Sequence, residues 1–125
     1  MPEETPPLED GYAEALLRIN AVTEQGPEGT ELDLSWLGLT SLPPEIGDLT
    51  ALTGLYLWRN QLTTLPAEIS NLTALTTLDL DTNQLTSLPP EIGDLKALRK
   101  LNLDGNPALD MNAVRRPRPE ARPAE

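Results

Sequence analysis

The stretch LTALTGLYLWRNQLTTLPAEISN, Leu49–Asn71, is followed at once by LTALTTLDLDTNQLTSLPPEIGD, Leu72–Asp94. Leu49, Leu72 and Leu95 stand 23 residues apart, and the positions between them keep step. Leu52, Leu75 and Leu98 coincide in register, as do Leu55, Leu78 and Leu101, then Leu57, Leu80 and Leu103, then Asn60, Asn83 and Asn106. Leu62 matches Leu85, Pro66 matches Pro89, and Ile69 matches Ile92. One period upstream, from Gly29, a divergent copy keeps Leu32, Leu34, Leu39, Leu42, Pro43 and Ile46 in phase but has Leu37 where Asn stands elsewhere. Residues 29–110 therefore hold four units of one internal repeat.

Each unit reads as one coil. In Leu55-Tyr56-Leu57 the period-2 alternation predicts a short strand with both leucines turned inward. Leu62, Leu65, Ile69 and Leu72 then bring the chain back along the other side. Pro66 and Pro89 end strand pairing, and Pro43-Pro44-Glu45-Ile46 or Pro89-Pro90-Glu91-Ile92 suits the start of a short helical turn. A coil of this size buries its leucines only against its neighbours. Asn60, Asn83 and Asn106 are expected to point inward and satisfy backbone groups left unpaired by the turn, a structural ladder and not a catalytic site. Leu37 cannot do this, so the first coil needs a different closure.

The pattern L-x-x-L-x-L-x-x-N-x-L-x-x-L-P-x-x-I-x-x-L resembles the leucine-rich repeat family, and the resemblance covers residues 29–109. It implies an α/β solenoid: a short horseshoe with about four parallel strands on the concave face. The Leu-Pro-x-x-Ile form is similar to that of intracellular repeats, including Ras-group scaffolds and bacterial arrays that precede a GTPase or kinase domain. No GTPase or kinase motif occurs in this chain, so only the recognition part of the resemblance transfers.

Outside the repeats, Tyr12, Ala15, Leu16, Ile19 and Val22 fall at helical spacing between Gly11 and Gln25, with Asp10 as the expected cap and Gly26-Pro27 as the stop. An amphipathic helix there would cover the exposed end of the leucine core. At the other end, Ala108 replaces the leucine of Leu62 and Leu85, and Leu109, Met111 and Val114 are expected to form a minimal cap. The organisation expected is a flexible start over 1–9, a capping helix over 10–28, repeats over 29–110, and a cap with a Pro/Arg-rich tail over 111–125.

Composition narrows the function. The 125 residues contain no Cys, no His and no Phe, which removes disulfides, Cys- or His-based zinc sites and every mechanism that depends on those side chains. Charge is −11, from 20 acidic and 9 basic residues, which disfavours nucleic acid or an anionic membrane as partner. Four of the cations, Arg115, Arg116, Arg118 and Arg122, lie in the tail, so the repeat body is more acidic still. Met1-Pro2-Glu3-Glu4 lacks the features of a secretory leader, and no apolar run reaches membrane-spanning length, so a cytoplasmic location is expected. Asp79-Leu80-Asp81-Thr82-Asn83 imitates a calcium loop, but Gln84 stands where Gly is required. Asn71-Leu72-Thr73 matches the glycosylation triplet only as an accident of the repeat. No phosphate loop occurs, and an open sheet offers no enclosed pocket for paired carboxylates. Neither an enzyme nor a cofactor is expected.

The strand-flanking positions carry the functional expectation. In repeat register they form four rows: Glu31, Gly54, Thr77, Lys100; Asp33, Tyr56, Asp79, Asn102; Ser35, Trp58, Asp81, Asp104; and Trp36, Arg59, Thr82, Gly105. Of the two Trp and two Tyr in the chain, Trp36, Tyr56 and Trp58 fall on this one surface, beside Arg59. Trp, Tyr and Arg dominate binding hot spots. Asp33, Asp79, Asp81 and Asp104 add a negative field that favours a basic or mixed-charge protein segment. The expected site is thus Asp33, Trp36, Tyr56, Trp58, Arg59, Asp79, Asp81, Asn102 and Asp104, binding a protein partner on the concave face of a monomer or weak homodimer. Local packing of the tryptophans, self-assembly through this face or the last strand, and cation binding by Asp79, Asp81 and Asp104 are the competing readings.

Overall fold

A computed structural model describes residues 11–109. A helix, α1 (Tyr12–Glu24), leads through a 3₁₀ turn (Gly26–Glu28) into four strands, β1 (Glu31–Asp33), β2 (Gly54–Tyr56), β3 (Thr77–Asp79) and β4 (Lys100–Asn102). The strands form one parallel sheet in sequential order, and pairing Leu32, Leu55, Leu78 and Leu101 fixes the register that the 23-residue period predicts. The divergent first copy is therefore a true strand-bearing coil.

Each return path carries a five-residue 3₁₀ segment, Pro44–Asp48, Ala67–Asn71 or Pro90–Asp94. Pro43, Pro66 and Pro89 stand just before them in extended conformation, and their carbonyls accept from Ile46, Ile69 and Ile92. The isoleucines are thereby swung inward, and successive 3₁₀ segments pack on one another. Between them and the sheet lies a core made almost wholly of leucine: Leu39, Leu52, Leu55, Leu57, Leu62, Leu72, Leu75, Leu78 and Leu80 are all fully buried.

The asparagine ladder forms, and it is continuous. Asn60 Nδ2 donates to Leu34 O (3.0 Å) and Leu57 O (2.9 Å), while its Oδ1 accepts from the amides of Leu37 (3.1 Å) and Leu39 (2.9 Å). Asn83 donates to Leu57 O and Leu80 O and accepts from Leu62 N. Asn106 donates to Leu80 O and Leu103 O and accepts from Leu85 N. Each asparagine thus shares a carbonyl with the next, and every amide polar atom has a partner. The closure that Leu37 cannot provide for the first coil comes from Asn60 of the second.

α1 lies along β1 and the first 3₁₀ segment of the repeats, burying Ala15, Ile19 and Val22 as its stripe requires. Arg18 Nη1 donates to Asp33 O (2.9 Å), tying the helix to the strand end. The expected cap is corrected: Gly11 holds the N-cap position, without a side-chain cap bond, at φ 71°. Any Cβ there would strike the Leu37 carbonyl, so close approach of helix and coil outweighs a capping side chain. Of the expected C-terminal cap Leu109 is buried with the core, while Met111, Val114, the tail and Asp10 lie outside the described residues.

Candidate protein-binding face

The nine expected site residues separate into two groups. Asp33, Tyr56, Asp79 and Asn102 are paired neighbours at the ends of β1 to β4. Trp36, Trp58, Arg59, Asp81 and Asp104 sit in the loops that follow, along one rim of the sheet. The rim rows stay aligned because backbone ladders continue past the strands: Trp36 N bonds Trp58 O, Arg59 N bonds Asp81 O, and Thr82 N bonds Asp104 O.

The strand-end row does structural work that residue type alone did not reveal. Asp33 Oδ1 accepts from Ser35 N and from Ser35 Oγ, Asp79 Oδ1 accepts from Asp81 N (3.1 Å), and Asn102 Oδ1 accepts from Asp104 N (3.1 Å). This is the Asx turn, in which a short side-chain oxygen mimics a backbone turn. Asn102 performs it without charge, so the turn needs the oxygen and not the carboxylate.

Tyr56 breaks the row in the second coil. Its hydroxyl donates to Glu31 Oε1 at 2.9 Å, folding the ring back across Gly54. A Cβ on Gly54 would lie 2.7 Å from the Tyr56 hydroxyl and collide with the Glu31 carboxylate, so the bond depends on that glycine. The hydrogen bond to Glu31, then burial, then the charges of Glu31, Asp79 and Asp33 push the Tyr56 phenol above its ordinary pKa.

The tryptophans meet at the rim. Trp36 and Trp58 stand edge to face with centroids 5.8 Å apart, and the Arg59 guanidinium lies 4.6 Å over the Trp36 ring. Each such contact is worth about 0.5–1 kcal/mol at an exposed site. Trp36 still keeps 63% of its surface exposed, while Trp58 is half-buried. The aromatics thus pack on one another and leave the Trp36 ring facing solvent.

One feature of the rim escaped the reading by residue type. Trp36, Arg59 and Thr82 have φ of 64°, 62° and 59°, left-handed values that cost non-glycine residues about 1–3 kcal/mol. Gly105 occupies the same row at φ 77° and was the trace in the sequence of this requirement.

Asp79 and Asp81 are half-buried and Asp104 is exposed. Among the described residues the only ion pair is Arg18–Glu14 on α1, so no described cation lies within ion-pair distance of these three carboxylates. No group of three or more acids among the described residues, Asp79, Asp81 and Asp104 included, is placed to hold a metal ion. No described helix is long and apolar enough to cross a membrane.

Residues 31–115 match a leucine-rich repeat region. No curated protein matches the chain. Solved structures resemble it in number, the following three among them. A leucine-rich repeat protein of Leptospira interrogans is 47% identical with a TM-score of 0.61, over 62% of this chain and 20% of that one. Toll in its Drosophila complex with Spätzle is 35% identical (TM-score 0.57, 62% and 10%), and a TDR receptor is 36% identical (TM-score 0.63, 75% and 16%). The chain thus spans a fifth or less of each of these proteins. With the 23-residue register, the parallel sheet, the asparagine ladder and a matched region covering most of its length, the chain belongs to the leucine-rich repeat family.

Proposed function

We propose that this chain is a non-enzymatic protein-recognition module that takes its partner on the concave face of the sheet, at the rim built by Trp36, Trp58 and Arg59. The leucine-rich repeat fold is typical of protein–protein interaction modules, and the observation that carries the reading here is the exposure of Trp36. A leucine-built protein with two tryptophans has packed one against the other without burying the first. Trp and Arg are enriched in partner-binding hot spots, and side chains already packed on one another lose less freedom when a partner binds. With a partner isolated from the source organism, the double variant Trp58→Ala, Asp81→Ala is expected to weaken its affinity at least tenfold. An unchanged affinity ends the reading.

A second reading, self-association through β4, is favoured by a different observation. Leu88, Ile92, Leu98 and Leu101 are only half-buried, while their counterparts Leu65, Ile69, Leu75 and Leu78 are buried. Exposed strand edges beside apolar surface invite pairing with another copy. Light scattering over a concentration series separates the two, since a monomer at high concentration excludes assembly. A cytoplasmic setting is the compartment we propose, on the sequence expectation alone; fractionation of the source cells tests it.

A further inference from the structure

We propose that the occupant of the concave face is an extended, cation-bearing protein segment, with one apolar side chain on the aromatic half of the face and two Arg or Lys side chains on the acidic half. This rests on the recognition reading above and adds the chemistry of the partner. The face is divided along the sheet. Over the first two coils Glu31 receives the Tyr56 hydroxyl, Asp33 spends one oxygen on its own turn with Ser35, and Arg59 sets a positive charge over Trp36. What that half offers is the apolar surface of Trp36 and Trp58.

Over the third and fourth coils the balance reverses. Asp79 and Asp81 spend one oxygen each on Asp81 N and Thr82 Oγ1, and no described cation, Lys100 on the same face included, lies within ion-pair distance of them or of Asp104. A segment crossing such a sheet gains apolar burial at one end and charge complementarity at the other. Spacing restricts it further. Adjacent coils are about 4.8 Å apart at the strands, whereas alternate side chains of an extended segment lie roughly 6.6–7 Å apart on one side. An apolar residue seated at Trp58 therefore sends its second neighbour about 2 Å past the coil of Asp81 and its fourth about 4 Å past that of Asp104, offsets that long flexible cationic side chains span by reaching back. The expected pattern is apolar-x-Arg/Lys-x-Arg/Lys, in either chain direction.

The structure also supplies a variant that removes charge without removing the turn. Asn102 makes the same turn bond as Asp79, so Asp79→Asn, Asp81→Asn and Asp104→Asn together preserve oxygen acceptors at all three positions. A random display library of extended peptides is selected on the full chain, and the selected peptides are titrated while tryptophan emission is followed. Both tryptophans of the chain belong to this face, so emission reports its occupancy. Selected peptides carrying the cationic pattern are expected to shift the emission. Their dissociation constants should rise on the order of tenfold in the triple Asn variant, and with added salt. Neutral or acidic peptides, affinities unchanged by the triple variant, or no enrichment at all overturn the proposal. If affinities ignore the triple variant but fall with Trp58→Ala, the cationic partner is lost and the recognition face stands; if neither change matters, both fall. A dimer of the unliganded chain that the triple variant dissolves makes a second copy the occupant and likewise overturns it.

Discussion

Leu39–Leu49 and Leu85–Leu95 are the same sequence, LTSLPPEIGDL, set in the first and third coils. Ile46 is fully buried in the first and Ile92 only half-buried in the second; Leu42 is buried and Leu88 is not. Both copies form the same 3₁₀ segment after the same extended proline. Local conformation thus follows from the residues, while burial follows from what lies beside the coil. Ile46 has α1 on one side and a complete coil on the other; Ile92 has one complete coil behind it. In a solenoid the value of a core residue is set by its neighbours' presence.

That contrast predicts unequal costs for equal mutations. Ile46→Ala is expected to destabilise by about 2–5 kcal/mol, as a fully buried large-to-small change does, and Ile92→Ala by roughly 1 kcal/mol. Urea unfolding measures both, and equal losses would show that Ile92 is covered in solution. The ladder should behave likewise. Asn60→Ala strips Leu34 O, Leu37 N and Leu39 N of their asparagine bonds, at about 3 kcal/mol in total. Asn83→Ala should cost nearer 1–2 kcal/mol, because Leu57 O and Leu80 O keep Asn60 and Asn106, Asp81 O keeps the Arg59 amide, and Leu62 N loses its asparagine bond.

The rim offers a comparison of opposite sign between the third and fourth coils. Thr82→Gly should stabilise by roughly 0.5–1 kcal/mol by relieving a β-branched residue at positive φ. Gly105→Ala should destabilise by a similar amount, since a Cβ there would lie 2.9–3.1 Å from Thr82 atoms as well as adopt that φ. Thermal melts of the pair test whether the row demands the left-handed turn in every coil. The smallest effect is expected at Tyr56. Its phenol is raised in the folded state, so the stability from its bond to Glu31 is present below the ordinary tyrosine pKa of about 10 and is lost as pH rises through the folded value. Tyr56→Phe should cost under about 1 kcal/mol at neutral pH and flatten the alkaline end of the stability profile.

Much of this was legible before any coordinates. The period assigned all four strands, including the divergent one, because identical core positions must stack on each other to be buried. It also assigned the inward asparagines, whose amide is the residue type that satisfies both carbonyls and amides. α1 was readable from Ala15, Ile19 and Val22, but its cap was not: Gly11 is there because Leu37 comes close, and that proximity is tertiary. On the candidate face, the gathering of Trp36, Tyr56 and Trp58 followed from register alone. The separate duties of its residues did not. That Asp33 and Asp79 close turns, that Tyr56 turns back to Glu31, and that Arg59 lies over Trp36 are choices among rotamers that only neighbouring coils decide.

The sequence by itself determined the coil, its period, the identity of its core and the concentration of aromatics and acid on one surface, because these are properties of spacing and composition that every unit repeats. Only the tertiary structure decided which of those side chains are spent on their neighbours and which still face solvent. A hydrogen bond or a ring contact between residues 22 to 26 positions apart exists only once one coil has been laid upon the next.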